Sequence, residues 1–135
     1  MTAKTCIAPS LYGNDIAIGF SRLLSQYKNN LGLPKFFGAD SQFERNPQSQ
    51  LSRIKKIHIM LPPDSWGPNV YQQYRKSDNY LVYVEHIVCP SHYQLLAILA
   101  PDAHKTIDRA LPRLVIQAES FHALSRSDIE MLAWY

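Results

Sequence analysis

His104 and Lys105 stand side by side at the end of "LAILAPDAHK" (residues 96–105), just past an apolar run that a proline stops. A histidine in such a place can exchange protons near neutral pH. A lysine beside it can neutralise charge developing on a phosphoryl oxygen. The same pair would also suit a solvated helix start with no chemistry. A second group is His86, Cys89 and His92, whose three-residue steps suit metal ligands. A structural zinc site takes four ligands, however, and there is no second close pair. A hairpin turn with two polar tips and a buried cysteine accounts for these residues without a metal. The third group is basic: Arg53, Lys55, Lys56, Arg75, Lys76, Lys105, Arg109 and Arg113. Such residues converge on one sheet face when they hold phosphates, and are spread over solvated surface otherwise.

The elements that must position these groups are legible in outline. Residues 1–14 read as irregular, with Pro9, Ser10 and Gly13 close together. Asn14 or Asp15 then caps a helix whose stripe is Ile16, Phe20, Leu23, Leu24 and Tyr27. "NNLGLP" ends it, "FFGAD" reads as a glycine turn, and residues 42–53 read as a polar loop. "IKKIHIML" alternates, with Ile57, Ile59 and Leu61 on one face and Lys56, His58 and Met60 on the other. Pro62 and Pro63 stop that strand, and "DSWGPN" is a loop. "NYLVYVEHIV" and "HYQLLAILA" are rich in β-branched and aromatic residues, and the Cys89-Pro90-Ser91 link suits a hairpin. Pro101 and Asp102 suit a helix start. Leu114, Val115, Ala118, Phe121 and Leu124 form a final stripe, with Pro112 expected in the first turn of that last helix. The expected fold is α+β: a small antiparallel sheet of about three strands, with N-terminal and C-terminal helices packed on one face of it.

Composition narrows the function classes. The chain has 135 residues, enough for one domain with a real core. Its formal charge of +3 permits an anionic partner without demanding one. No apolar run approaches the roughly 20 residues of a membrane span. The opening stretch lacks the continuous apolar segment of a signal peptide. Two cysteines without such a signal point to a reducing cytoplasm and free thiols.

Five blocks in series carry a family resemblance: "YKNNLGLPKFFGAD" (residues 27–40), "KIHIML" (56–61), "RKSDNYLVYV" (75–84), "LLAILAPDAHK" (95–105) and "AESF" (118–121). Together the chain resembles the YafO family of type II toxin–antitoxin toxins, whose pattern runs L-P-x-x-F-G-R-D, H-I-H-L, R-[TS]-[SN]-D with L-V-Y-C, L-L-I-A-I-L-x-P-x-x-H-K, and A-E-x-F. Two positions depart from it: Ala39 replaces the family arginine, and Val84 replaces a cysteine. The tail at residues 125–135 lies outside the resemblance, and the whole is expected to be one toxin domain.

The resemblance implies a RelE-like toxin fold and a ribosome-dependent mRNA endonuclease, with a cognate antitoxin and the mRNA-bearing ribosome as partners and no cofactor. Metal-free RNA cleavage needs an activated 2′-hydroxyl, a stabilised phosphorane and a protonated 5′-oxygen. His58, Arg75, Asp78, Tyr83, His104 and Lys105 include the side chains for this. Arg75 and Asp78 precede one strand of the hairpin, while His104 and Lys105 follow the other. Antiparallel pairing makes these ends neighbours. His104 is then the general acid or base, and Arg75 and Lys105 are phosphate ligands. Asp78 either orients a base or pairs with Arg75. His58 faces away from Ile57 and Ile59, and Tyr83 falls on a core face. Arg53, Lys55, Lys56, Lys76 and Arg109 are the expected RNA-binding residues. Two other readings fit the same chain: a non-catalytic, ParE-like gyrase poison, and an inactive binding module, the latter suggested by Ala39.

Overall fold

The computed structural model describes residues 2–135. Its centre is a five-stranded sheet in the order β1-β5-β4-β3-β2. The strands are β1 (Lys4–Ile7), β2 (Phe37–Gln42), β3 (Ile54–Ile59), β4 (Tyr80–Glu85) and β5 (His92–Leu99). β1 runs parallel to β5, and the other pairings are antiparallel. The helices are α1 (Asp15–Lys28), α2 (Pro47–Leu51), α3 (Ala103–His122) and α4 (Arg126–Glu130).

The helices do not share one face of the sheet, as the sequence suggested. On one side Ile57, Ile59, Leu81, Tyr83 and Leu95 pack against Ala17, Phe20 and Leu24 of α1. On the other, Ile54, Tyr80, Val82, Val84 and Leu96 pack against Ile107, Leu111, Leu114, Ala118 and Phe121 of α3. Side chains alternate between the faces of a strand, so residues 80–84 of β4 must all be apolar to serve both cores. That is why "YLVYV" shows no polar alternation.

Several local expectations also change. Residues 4–7 form a strand, because β5 offers a parallel partner and Ile7 enters the α1 core. The "FFGAD" segment is β2, not a turn. Its small and polar residues carry little strand propensity, and pairing with β3 overrides that, with a register irregularity between Phe37 and Asp40. Gly38 is needed there, since a Cβ would collide with the Arg75 carbonyl oxygen and press on Trp66. Within the expected loop, α2 begins where Asn46 accepts a hydrogen bond from Ser49 N–H, with Pro47 at the first turn. Pro112 sits inside α3 rather than starting a separate helix, and it is exposed. The missing N–H therefore costs a bond on the solvent side of the helix. The tail is part of the packing: Ile129 is buried, Trp134 Nε1 donates to Ile129 O, and Tyr135 N–H donates to Thr5 O.

Candidate functional site

α3 covers only part of its sheet face. Toward the β2 side it leaves a cleft of about 540 Å³, lined by Lys56, His58, Lys76, Tyr80 and His104, with Glu44, Arg45 and Asp108 also in its wall. β3 delivers Lys56 and His58 by alternation. Residue His58 pairs with Tyr80 across the strands, and their rings meet edge to face at 5.0 Å. His104 comes from the first turn of α3.

His58 is only 8 % exposed. Its Nδ1 lies 2.7 Å from Ser77 O and 2.9 Å from Ser77 N. The ring therefore either donates to the carbonyl or accepts from the N–H, and Nε2 remains for the cleft. Burial holds its pKa below the ordinary 6.5, opposed by the Ser77 bond and the Asp78 charge and assisted by the nearby Lys56 and Lys76 charges. His58 is thus neutral at pH 7. The Lys56 ammonium lies over the rings of Tyr80, at 4.6 Å, and Phe43, at 5.0 Å. Its pKa is lowered, first by burial and then by Lys76, with Glu44 opposing the shift. Two lysines that repel each other around a cleft form a site that an anion relieves.

The strip Arg75–Asn79 holds this cleft together. Arg75 Nε donates to Val70 O at 2.9 Å and Nη1 to Phe37 O at 3.3 Å, while Arg75 O accepts from Ala39 N–H. Ser77 Oγ donates to Ile59 O at 2.7 Å. Asp78 Oδ1 accepts from His104 N–H at 2.7 Å, and Asp78 O accepts from Ala103 N–H. Asp102, at the N-cap of α3, makes no side-chain cap bond. Asp78 supplies that cap from another segment and places a negative charge at the helix N-terminus.

The expected site residues therefore separate. His58, His104, Lys56 and Lys76 come together around the cleft. Arg75 does not join them: its guanidinium is tied to two carbonyls and lines a different cavity. Asp78 acts on the backbone of His104 rather than pairing with Arg75. Lys105 and Arg109 are exposed on α3 and do not line the cleft. Arg53 and Lys55 line another cavity, together with Lys28, Tyr83, Glu85 and Tyr93. His86 accepts from the N–H groups of Val88 and Cys89 through Nδ1, and its Nε2 lies 3.2 Å from Leu124 O. It thus braces the hairpin turn, and both cysteines are buried and free. Ala39 is buried within β2.

Two groups escaped the sequence reading. Tyr80 was legible in principle, since antiparallel pairing of β3 and β4 sets it opposite His58. The other is centred on Asp40, whose side chain is 11 % exposed. Tyr27 donates to Oδ2 at 3.0 Å and Tyr83 to Oδ1 at 2.8 Å. Lys28 and Lys55 each reach an oxygen at 3.6 Å. Lys28 lies over the rings of Tyr27, Tyr83 and Tyr93. Burial lowers its pKa, and Asp40 opposes that shift. Burial and the Asp40 charge together hold Tyr83 protonated at all ordinary pH.

Among the described residues no helix is long and apolar enough to cross a membrane. A family model described as "Toxin YafO, type II toxin-antitoxin system" matches residues 25–123. No curated protein and no solved structure matches the chain.

Proposed function

The chain belongs to the YafO toxin family of type II toxin–antitoxin systems, and from that premise we propose that it is a metal-independent endoribonuclease that cuts mRNA on the ribosome and is neutralised by a cognate antitoxin. The observation that carries this reading is the convergence of His58, His104, Lys56 and Lys76 on one cleft. In the tautomer that donates Nδ1–H to Ser77 O, His58 has its lone pair on Nε2. That nitrogen takes the proton from the 2′-hydroxyl. The 2′-oxygen attacks the adjacent phosphorus, Lys56 and Lys76 balance the charge of the phosphorane, and His104 gives a proton to the departing 5′-oxygen. The products are a 2′,3′-cyclic phosphate and a 5′-hydroxyl. Arg75 and Asp78 are positioning residues, acting through β2 and through the first turn of α3.

Modest charge is compatible with dependence on the ribosome. The cleft wall sets Lys56, Lys76 and Arg45 against Glu44 and Asp108, too weak a field to hold free RNA tightly by counterion release. The test is controlled expression followed by primer extension on a reporter mRNA, translated and untranslated. Cuts within the translated region alone are expected. Equal cutting of the untranslated copy overturns ribosome dependence. Intact mRNA accompanied by DNA damage replaces this reading with the gyrase-poison one.

A further inference from the structure

A second cavity, of about 400 Å³, is lined in part by Lys35, Phe36, Met60, Trp66 and Arg75. We propose that it is a nucleobase subsite, which holds one base of the RNA strand beside the cleavage position. The proposal rests on the endoribonuclease reading and names a binding determinant for that same strand.

Four observations support it. The wall combines the aromatic side chains of Phe36 and Trp66 with the exposed cation Lys35, the pairing that single-stranded nucleic acid sites use for bases and backbone, while Arg75 is held by its two carbonyls and Asp64 is the one carboxylate of the wall. Lys35 Nζ already lies over the Phe36 ring at 5.0 Å. Trp66 offers the cavity its ring, since its indole N–H is itself enclosed. The cavity and the cleft also draw on neighbouring residues of the chain. Arg75 lines one and Lys76 the other, and Met60 lines one while His58, two residues earlier, lines the other. A strand leaving the cleft thus meets the cavity within a short reach. Finally, the wall is built rather than loose. Gly38 admits the Arg75 carbonyl and the Trp66 ring against β2, and the Arg75 guanidinium is fixed by Val70 O and Phe37 O.

Trp66 is one of two tryptophans, so Trp134→Phe leaves it as the sole indole reporter. The probe is a 2′-O-methyl tetraribonucleotide, which cannot be cleaved, compared with an abasic tetramer carrying the same phosphates. The complete oligonucleotide is expected to quench Trp66 and the abasic one to leave it unchanged. Lys35→Glu, an exposed change that spares the fold, is expected to weaken that binding about tenfold. In single-turnover cleavage on programmed ribosomes, Trp66→Leu is expected to raise the half-saturating concentration about tenfold, the scale of one lost base stack, with little change in the saturated rate. Phe36→Leu, which preserves bulk, should behave alike if Trp66→Leu folds poorly. Equal quenching by the abasic tetramer overturns the proposal, as does a silent Trp66 at millimolar oligonucleotide. Failure of the endoribonuclease reading looks different: the wild-type protein then leaves mRNA on programmed ribosomes uncut while base-dependent quenching persists.

Discussion

On the α1 side of the sheet, Asp40 joins Tyr27, Tyr83, Lys28 and Lys55 in a paired network beside a cavity of its own; on the α3 side, Lys56, Lys76, His58, Tyr80 and His104 surround the cleft. The residue types overlap, and the strands are in part the same. Lys55 and Lys56 are consecutive, yet one reaches Asp40 while the other enters the cleft. The difference lies in partners. Both Asp40 oxygens accept a tyrosine hydroxyl and face a lysine, so a ligand there would have to displace bonds already made. In the cleft the two lysines face each other's charge, and His58 keeps one nitrogen for a substrate. A polar group becomes available for chemistry when the fold leaves its demands unmet.

The sharpest way to break this contrast is to remove the histidines. His58→Ala and His104→Ala are each expected to lower single-turnover cleavage on programmed ribosomes about a hundredfold or more. His104 is exposed, so its variant should melt near the wild-type temperature. The sign of the pH effect follows from His58. A base must be unprotonated to accept, and burial holds this one below 6.5, so the acid limb of the cleavage profile should lie below that value. A normal rate with early melting would move His104 from the chemistry to the junction of β5 and α3.

The Asp40 network should respond in the opposite way. Asp40→Ala leaves two lysines without their shared carboxylate and two buried hydroxyls without their acceptor. A loss of about 3 kcal/mol of stability is expected in denaturant unfolding, with the cleavage rate per folded molecule little changed. A folded Asp40→Ala protein that no longer cleaves would mean that both faces take part in the reaction.

The smallest expected effect probes the link between β4 and the cleft. Asp78→Ala removes the α3 cap and should cost about 1 kcal/mol. Because Asp78 acts through the position of His104, cleavage should fall, and because its charge also holds the His58 pKa up, the acid limb of the pH profile should move to lower pH. Asp78→Asn retains an acceptor and should restore most of the rate. If Asp78→Asn stays as slow as Asp78→Ala, the carboxylate charge itself is required, and Asp78 belongs with the reacting groups.

Much of this arrangement was legible in the chain. The alternation of "IKKIHIML" put Lys56 and His58 together and away from Ile57 and Ile59. The same period of two sends Lys55 to the other face, which separates two residues that composition groups as one basic patch. The apolar continuity of β4 and β5 announced strands, and the residues of α1 and α3 announced helices. β1 and β2 were hidden, because short or glycine-containing segments become strands only when a neighbour pairs with them. Arg75 looked like a phosphate ligand because sequence shows a charge but not the carbonyls that occupy it.

Local order is set by periodicity and capping, which act over a few residues and are written directly in the amino-acid string: which segments are strands or helices, and which side chains share a face. The sequence also carried the family, through five blocks in a fixed order. Only the tertiary structure decided that the two long helices take opposite faces, that α3 stops short of the β2 edge, and that His58 and His104, 46 residues apart in number (104 − 58), line the same space. Those outcomes depend on which surfaces can be buried together and on which polar groups find partners once they are. Both are properties of contacts between distant segments, and no local pattern encodes them.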